Sequence, residues 1–178
     1  MDDVVAFRRN VEVKARIDDW ESTRARVIAV AGQPIEKVRQ RDIFFHTSRG
    51  RLKLRQLGPD RGQLIYYERP DATSATTSHY VIYETVAPAA LREALRAALA
   101  ERAVVSKERT LFLVGNTRIH LDRVEELGDF LELEVVLDPT DDEAGGRRTA
   151  ADLLKRLGIR DDRLLDCAYV DLLADRET

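Results

Sequence analysis

Cysteine and long apolar runs are scarce in this chain. Cys167 is the only cysteine among 178 residues, so an intrachain disulfide and a C-x-x-C zinc site are excluded, and the reducing cytoplasm is the expected compartment. No stretch approaches the roughly 20 apolar residues of a membrane-spanning helix. Residues 1–5 lack the basic start and the long apolar core of a signal peptide. The expected protein is cytoplasmic and has no membrane partner.

The chain also lacks a large excess of positive or of negative charge. The chain has 29 lysine and arginine residues, 32 aspartate and glutamate residues, and a formal net charge of −3. This balance argues against nucleic-acid binding through bulk charge, and no stripe of aromatic and basic residues is visible. The three histidines, His46, His79 and His120, are far apart in sequence. A histidine-rich metal site is therefore not expected, and carboxylates are the better ligand candidates.

The length fits one domain, residues 1–178, with a sizeable core. Turn residues such as Gly58 and Pro59 separate segments of regular periodicity, and residues 71–77 read as a loop. Strands are predicted at residues 10–17, 40–45, 51–56, 63–69, 78–86, 104–114, 117–124 and 129–137. Helices are predicted at residues 20–31, 88–101, 141–157 and 162–173. Hairpins and a few helices indicate an α+β fold.

Charged residues alternate with apolar ones along strand after strand. In the first strand, Glu12 and Lys14 share a face with Asn10, while Val11 and Val13 point the other way. The same alternation places further charged residues on common faces: Arg51, Lys53 and Arg55; Lys107 and Arg109; Arg118, His120 and Asp122; Glu132 and Glu134. An antiparallel sheet with one solvated face produces this pattern without any function.

A second interpretation follows from how positive and negative side chains are distributed among the strands. Cations cluster in the middle strands and carboxylates in the first and last, while threonine and serine, which usually populate a wet face, are few. If the sheet curls until these faces oppose one another, the enclosed space holds lysines and arginines beside carboxylates. Such a cavity suits an anionic ligand with a divalent metal, and a polyphosphate with Mg²⁺ or Mn²⁺ is the simplest match.

Several segments resemble one known family in the family's own order. Residues 10–14, Asn-Val-Glu-Val-Lys, resemble the E-x-E-x-K signature of the CYTH superfamily, which includes class IV adenylyl cyclases and thiamine or inorganic triphosphatases. Further matching segments are residues 50–55, 64–71, 78–80, 107–109, 117–122, 130–134 and 168–173, the last of which resembles the bacterial class IV cyclase-like branch. No single segment is specific, but the ordered set covers almost the whole chain.

The resemblance implies an antiparallel β-barrel, or triphosphate tunnel, with a charged lumen and helices packed outside. It further implies three sets of site residues, which overlap. Metal ligands would be Glu12, Glu132, Glu134 and Asp122; phosphate contacts would be Lys14, Lys53, Arg55, Lys107, Arg109 and Arg118; the catalytic set would be Asp122, Lys14 and Arg55. The implied cofactor is Mg²⁺ or Mn²⁺.

Simpler roles compete for some of these residues. Lys53 is also explained as a charge at the rim, Arg118 as an ion-pair partner of Glu132, and His120 as a satisfied barrel histidine without catalytic duty. Two departures from the family pattern matter more. Asn10 stands where the signature has its first glutamate, and Thr76 stands where relatives commonly carry a basic residue. The first removes a negative charge from the metal site, and the second removes a substrate contact.

Three functions are consistent with these residues. The first is a metal-dependent enzyme acting on a nucleotide or polyphosphate, either cyclising ATP or hydrolysing a triphosphate. The second is a polyphosphate-binding protein that has lost catalysis through Asn10 and Thr76, and the third is a pathway enzyme for another anionic metabolite. The family also permits a homodimer. Leu91, Leu95 and Leu99 would either form its interface or pack on the barrel.

Overall fold

The computed structural model describes residues 7–174. The described chain forms nine strands and four α-helices. The strands are β1 (Arg8–Arg16), β2 (Glu36–Phe45), β3 (Arg51–Gln56), β4 (Gly62–Glu68), β5 (Thr76–Thr85), β6 (Glu101–Val114), β7 (Thr117–Val124), β8 (Gly128–Leu137) and β9 (Leu164–Leu165). The helices are α1 (Trp20–Ala31), α2 (Pro88–Leu99), α3 (Glu143–Arg156) and α4 (Tyr169–Ala174).

Eight of these strands close into a ring. Their order is β5-β4-β3-β2-β6-β7-β8-β1, and β1 completes the ring by pairing with β5 from Arg8 to Glu12. All pairings in the described chain are antiparallel. The predicted α+β fold, an antiparallel barrel with helices outside, is confirmed. Closure turns one face of every strand inward, so the repeated charged faces line an enclosed space rather than solvent.

The apolar faces of the strands point outward and are covered by helices. Helices α1 and α3 cover β1 and β6–β8, where Val11, Val13, Phe112 and Leu133 are buried. Helix α2 covers β2 and β3 through leucines that contact Ile43, Phe45 and Leu54; these leucines are Leu91, Leu95 and Leu99. The apolar face of α2 therefore packs on the barrel, as one of the two interpretations of its leucines predicted.

Helix α3 approaches the sheet closely at a glycine. A Cβ atom on Gly146 would lie 2.8 Å from Val11 Cγ2 and 3.0 Å from Leu137 Cδ2, whereas the neighbouring Gly145 has 3.6 Å or more of clearance. The helix begins at an N-cap, because the Asp142 carboxylate accepts hydrogen bonds from the amides of Ala144 and Gly145. The small residue at position 146 thus sets the distance between α3 and β1.

The predicted helix at residues 162–173 was wrong. The chain instead forms a 3₁₀ turn, Asp161–Arg163, then the short strand β9, and only then α4. Strand β9 pairs with Lys14 and Ala15 of β1, so pairing with a distant strand overrides the local helical periodicity. The Asp171 carboxylate accepts a hydrogen bond from the Ala168 amide at 3.1 Å and holds the start of α4.

Other boundaries differ by a few residues from those predicted. Helix α2 ends at Leu99 because Ala100 adopts a positive φ of 57°, and β6 starts immediately afterwards at Glu101. Strand β2 extends back to Glu36, where it pairs with Leu111. Strand β5 begins at Thr76, inside the predicted loop. No helix in the described part of the chain is long and apolar enough to cross a membrane.

Candidate functional site

A cavity of about 440 Å³ fills the inside of the ring. Among the described residues that line it, nine are basic and six are acidic. The basic residues are Arg8, Lys14, Lys53, Arg55, Arg61, Arg69, Lys107, Arg109 and Arg118, and the acidic residues are Glu12, Glu36, Asp42, Glu84, Glu132 and Glu134. With every group ionised the wall carries three net positive charges, although the whole chain has a formal net charge of −3.

The residues that line the cavity differ in their exposure to solvent. Ala168 and Tyr169, just before and at the start of α4, are buried. Glu36, Arg61 and Glu84, at or next to strand ends, are exposed. A ligand that enters past these exposed residues would reach the buried charges last.

A group of acidic residues and one histidine gathers on β1, β7 and β8. Ligand atoms of His120, Glu132 and Glu134 all lie within 4.8 Å of one another. Glu12 lies opposite Glu134 in the pairing of β1 with β8. Burial and the charge of nearby Glu132 raise the pKa of Glu12 to about 7. Carboxylates held this close together are a fitting environment for a divalent cation.

Arg109 is the centre of a buried network on the same wall. Its guanidinium donates to both Asp122 carboxylate oxygens, at 2.7 and 2.6 Å, and to Glu132 Oε2 at 2.5 Å. The Tyr169 hydroxyl also donates to Asp122 Oδ2, at 2.9 Å. Burial alone would raise the pKa of Asp122, but Arg109 and Lys107 outweigh it and hold that pKa below its usual range.

Two lysines stack against the ring of Tyr169. Lys14 Nζ lies 4.3 Å from the ring centroid and also contacts Glu132 Oε1 at 2.8 Å, while Lys107 Nζ lies 5.1 Å from the centroid. Both distances allow cation–π attraction. Burial and the neighbouring Arg109 lower the pKa of Lys107 to about 7. The residue at the start of α4 therefore sets the positions of two basic groups in the cavity.

The opposite wall carries a second anchored set of cations. Asp42 on β2 accepts two hydrogen bonds from Arg55, at 2.8 and 2.9 Å, and contacts Lys53 Nζ at 3.1 Å and Lys107 Nζ at 3.7 Å. Burial opposes ionisation of Asp42, but Arg55, Lys53 and Lys107 hold its pKa well below the usual range. Lys53 therefore belongs to the cavity rather than to a rim.

The structure brings most of the predicted site residues together and separates one from them. The phosphate-binding set lines the cavity in full, as do Glu12, Glu132 and Glu134. Asp122 does not line the cavity and is fully buried behind Arg109, with both oxygens occupied. Its predicted role as a ligand or water-orienting group is untested, and this geometry favours a structural role for it.

The ion-pair partner of Arg118 differs from the one predicted. Arg118 contacts Glu134 at 3.3 Å, whereas Glu132 is held by Lys14 and Arg109. The proposed pairing of Arg118 with Glu132 was therefore wrong in the choice of glutamate. Register is the reason, because Arg118 lies directly opposite Glu134 in the pairing of β7 with β8.

The structure also places residues in the site that sequence reasoning did not select. Asp42 and Arg69 lie on cavity-facing positions, and Arg69 Nε contacts Glu12 Oε1 at 3.2 Å. Asp42 is two residues from Phe44, and Arg69 is two residues from Tyr67, and all four line the cavity. This same-face spacing was the signal that could have found them. Tyr169 had no such signal, because only the tertiary position of α4 directs it into the cavity.

Of the two departures from the family pattern, Asn10 lies in the site and Thr76 lies next to it, opposite Glu12 in the sheet. Asn10 is buried and lines the cavity, and its side-chain oxygen makes no hydrogen bond within the described chain. Thr76 pairs with Glu12 across β1 and β5, and its buried hydroxyl also lacks a partner among the described residues. Arg69 supplies a basic group beside Glu12, on the wall where the missing basic contact was expected.

Comparison with known proteins identifies the family. The CYTH domain model matches residues 8–169. The chain belongs to the CYTH domain family. A relative, adenylate cyclase CyaB from Aeromonas hydrophila, is 28% identical over 173 residues, which span 91% of this chain and 87% of that protein. The matched region includes every strand of the ring.

Solved structures agree with this fold. The PH1012 protein from Pyrococcus horikoshii OT3 superimposes with a TM-score of 0.82 at 25% identity, covering 92% of this chain and 98% of that one. HpAC1 from Hippeastrum, described as having a dominant triphosphatase activity, gives a TM-score of 0.64 at 13% identity and covers 96% and 95% of the two chains. At that identity, the second likeness concerns the fold alone.

Proposed function

We propose that this CYTH domain is a metal-dependent enzyme that acts on a triphosphate-containing nucleotide. The observation that carries the proposal is the composition of the cavity wall: an excess of basic groups lies next to Glu132, Glu134 and His120. Lysine and arginine side chains neutralise phosphate oxygens, and carboxylates hold the divalent ion that accompanies a triphosphate. The likeness to an adenylate cyclase supports ATP as the nucleotide.

The charged side chains of the cavity are held in positions that suit such a ligand. Arg109, Arg55 and Lys14 are each fixed by a buried carboxylate. Because these partners hold the side chains in place, little rotamer entropy is lost when phosphate oxygens bind to the remaining donors. Lys107, with its pKa near 7, gains a full positive charge when an anion binds beside it.

The metal would be held by Glu132 and Glu134, with Glu12 nearby. A bound divalent ion would supply charge neutralisation at the phosphate oxygens. Lys53 and Arg55 would bind the chain from β3, Lys107 and Arg109 from β6, and Lys14 and Arg118 from β1 and β7. These groups would stabilise the negative charge that develops on the leaving phosphate.

Two reactions use the same phosphate contacts. In cyclisation, the ribose 3′-hydroxyl of ATP attacks the α-phosphorus and diphosphate leaves. In hydrolysis, water attacks the terminal phosphorus and orthophosphate leaves. The relation to adenylate cyclase CyaB favours cyclisation, whereas the exposed lining residues Arg61 and Glu84 leave the cavity accessible to the water that hydrolysis needs. We propose cyclisation as the first reaction and hydrolysis as the second.

Product analysis separates these reactions. The purified protein is incubated with ATP, thiamine triphosphate or tripolyphosphate in the presence of Mg²⁺ or Mn²⁺, and products are followed by phosphorus NMR. Cyclic AMP with diphosphate supports cyclisation, and orthophosphate supports hydrolysis. A folded sample that turns over none of these compounds contradicts the proposal. If tripolyphosphate raises the melting temperature without turnover, the protein is instead a binding protein.

A paired substitution tests the metal wall. Glu134→Gln removes one carboxylate from the cavity and should abolish metal-dependent turnover. Glu125→Gln, at an exposed position after β7, is the matched control and should leave turnover unchanged. An unchanged rate for Glu134→Gln at saturating metal would reject the role of this carboxylate.

A further inference from the structure

His120 has an unusual environment for a buried histidine. It lies on β7 and faces the cavity, and only 4% of its surface is exposed. Its Nδ1 atom makes no hydrogen bond with any described residue. Leaving a buried polar atom unpaired destabilises the folded protein, so a partner outside the protein chain would relieve that penalty.

Two carboxylate oxygens lie near this nitrogen. Nδ1 lies 3.5 Å from Glu132 Oε2 and 3.7 Å from Glu134 Oε1. Ligand atoms bound at about 2.1 Å to one octahedral ion lie roughly 3.0 Å apart. The two distances from Nδ1 exceed this spacing by about 0.5 and 0.7 Å, and the three ligand atoms already lie within 4.8 Å of one another. Small side-chain movements would therefore bring the three donors to one ion.

Direct hydrogen bonding explains this arrangement less well. An Nδ1–H donor would normally approach an oxygen to about 2.9 Å, and both observed distances are longer. An unprotonated Nδ1 would instead direct its lone pair at two carboxylates, which is repulsive unless a cation lies between them. A cation resolves both difficulties, because it accepts the nitrogen lone pair and neutralises the oxygens.

The existing ion pairs of the two glutamates leave room for such an ion. Glu132 accepts from Lys14 through Oε1 and from Arg109 through Oε2, and Glu134 contacts Arg118 through Oε2. Each carboxylate oxygen has two lone pairs, so one charged hydrogen bond does not exhaust it. Oε1 of Glu134, the oxygen that does not accept from Arg118, lies 3.7 Å from His120 Nδ1.

We propose that His120 is a metal ligand together with Glu132 and Glu134, and that its nitrogen makes the site prefer Mn²⁺ to Mg²⁺. This proposal rests on the proposed metal-dependent function and specifies its ion. Mg²⁺ is a hard ion that favours oxygen ligands and keeps its waters, whereas imidazole nitrogen suits first-row transition ions. Mn²⁺ accepts the nitrogen while still binding carboxylate and phosphate oxygens.

Metal binding without substrate tests the proposal. Mn²⁺ alone is added to the purified chain, its dissociation constant is measured by calorimetry, and pulsed electron paramagnetic resonance detects nitrogen coupling to the bound ion. We expect ¹⁴N coupling from one imidazole and tighter binding of Mn²⁺ than of Mg²⁺. In His120→Gln the coupling should disappear and Mn²⁺ affinity should fall about tenfold or more, while Mg²⁺ affinity changes little.

His79→Gln is the matched control, because His79 is an exposed histidine on the outer face of β5. It should keep both the coupling and the affinity. The spectrum of the unsubstituted protein does not depend on whether a variant folds, so absence of ¹⁴N coupling at saturating Mn²⁺ overturns the proposal directly. Equal Mn²⁺ affinity in folded His120→Gln would overturn it as well.

These measurements distinguish a failure of His120 as a metal ligand from a failure of the proposed enzymatic function. Nitrogen-coupled Mn²⁺ in a protein that turns over no triphosphate supports the ligand assignment and refutes the proposed enzyme. Turnover with Mn²⁺ that shows no nitrogen coupling supports the enzyme and refutes His120 as a ligand.

Discussion

Replacing Asp122 by asparagine should lower stability strongly, although the side chain keeps its size. Asp122 is fully buried, accepts two hydrogen bonds from Arg109 and one from Tyr169, and lies 3.9 Å from Lys107 Nζ. Removing one partner of a buried ion pair costs about 3–5 kcal/mol, because the other charge stays buried. Asparagine retains one oxygen and Glu132 still contacts Arg109, so we expect about 3 kcal/mol.

Thermal unfolding at neutral pH measures this loss. For a chain of this size, each kcal/mol corresponds to roughly 2–4 °C in melting temperature, so Asp122→Asn should melt about 6–12 °C lower. Urea unfolding should give the same loss with an unchanged slope. The reasoning would be refuted if the variant melted within about 2 °C of the unsubstituted protein.

A neighbouring aspartate supplies the control. Asp129 on β8 faces Arg123 on β7 at 3.8 Å, and both side chains are partly exposed. A pair screened by solvent contributes about 1 kcal/mol at most. Asp129→Asn should therefore shift the melting temperature by no more than about 3 °C, and a shift as large as that of Asp122→Asn would show that burial is not the cause.

The pH dependence of the Asp122 effect follows from the sign of its pKa shift. Its folded-state pKa is lowered, with Arg109 and Lys107 outweighing the opposing effect of burial. The stabilisation is present above the unfolded-state pKa, about 3.9, and is lost as pH falls through the folded-state pKa. The difference between Asp122→Asn and the unsubstituted protein should stay constant from about pH 5 to 8 and narrow below about pH 4.

Three further predictions concern other parts of the molecule. Since the pKa of Lys107 is about 7, this side chain loses its positive charge above neutral pH. The affinity for tripolyphosphate, measured by calorimetry, should therefore fall more steeply between about pH 6 and 8 in the unsubstituted protein than in Lys107→Met. Parallel plots of affinity against pH for the two proteins would contradict this prediction. Tyr169→Phe loses the hydrogen bond to Asp122, which should lower the free energy of unfolding by about 1.5 kcal/mol, and keeps the ring that the two lysines contact. Tyr169→Leu removes the ring as well and should also weaken tripolyphosphate binding. Equal binding by both variants would refute the role of the ring. Gly146→Ala should lower the melting temperature because its Cβ would meet Val11 at 2.8 Å, whereas Gly145→Ala should raise it slightly through helix propensity.

The local periodicity of the sequence predicted most of the strands. Alternation placed Glu12, Lys14, Glu132 and Glu134 on common faces, and all four line the cavity. The start of α1 also depends on a neighbour in sequence, because the Asp19 carboxylate accepts a hydrogen bond from the Ser22 amide. Such features depend on neighbours within a few residues, and these are visible in the sequence itself.

The periodicity of the sequence could not distinguish the roles of Asp122 and His120. Both lie on even positions of β7 beside Arg118, so alternation gives them one face. The structure nevertheless buries Asp122 behind Arg109 and leaves His120 Nδ1 unpaired beside two glutamates. Strand register separates them, because Asp122 lies opposite Arg109 in the pairing of β6 with β7, whereas His120 lies opposite Glu132 in the pairing of β7 with β8.

The sequence by itself determined the charged faces, most of the helices and the family resemblance, because each rests on residue type and short-range spacing. Tertiary structure alone decided that those faces enclose a cavity, since closure requires β1 to pair with β5 across more than 60 residues of intervening chain. It also decided that residues 162–173 form β9 and place Tyr169 in the cavity wall, rather than forming one helix. Pairing with distant strands and burial against a cavity wall are non-local, and their free energies outweigh the local preferences of the chain.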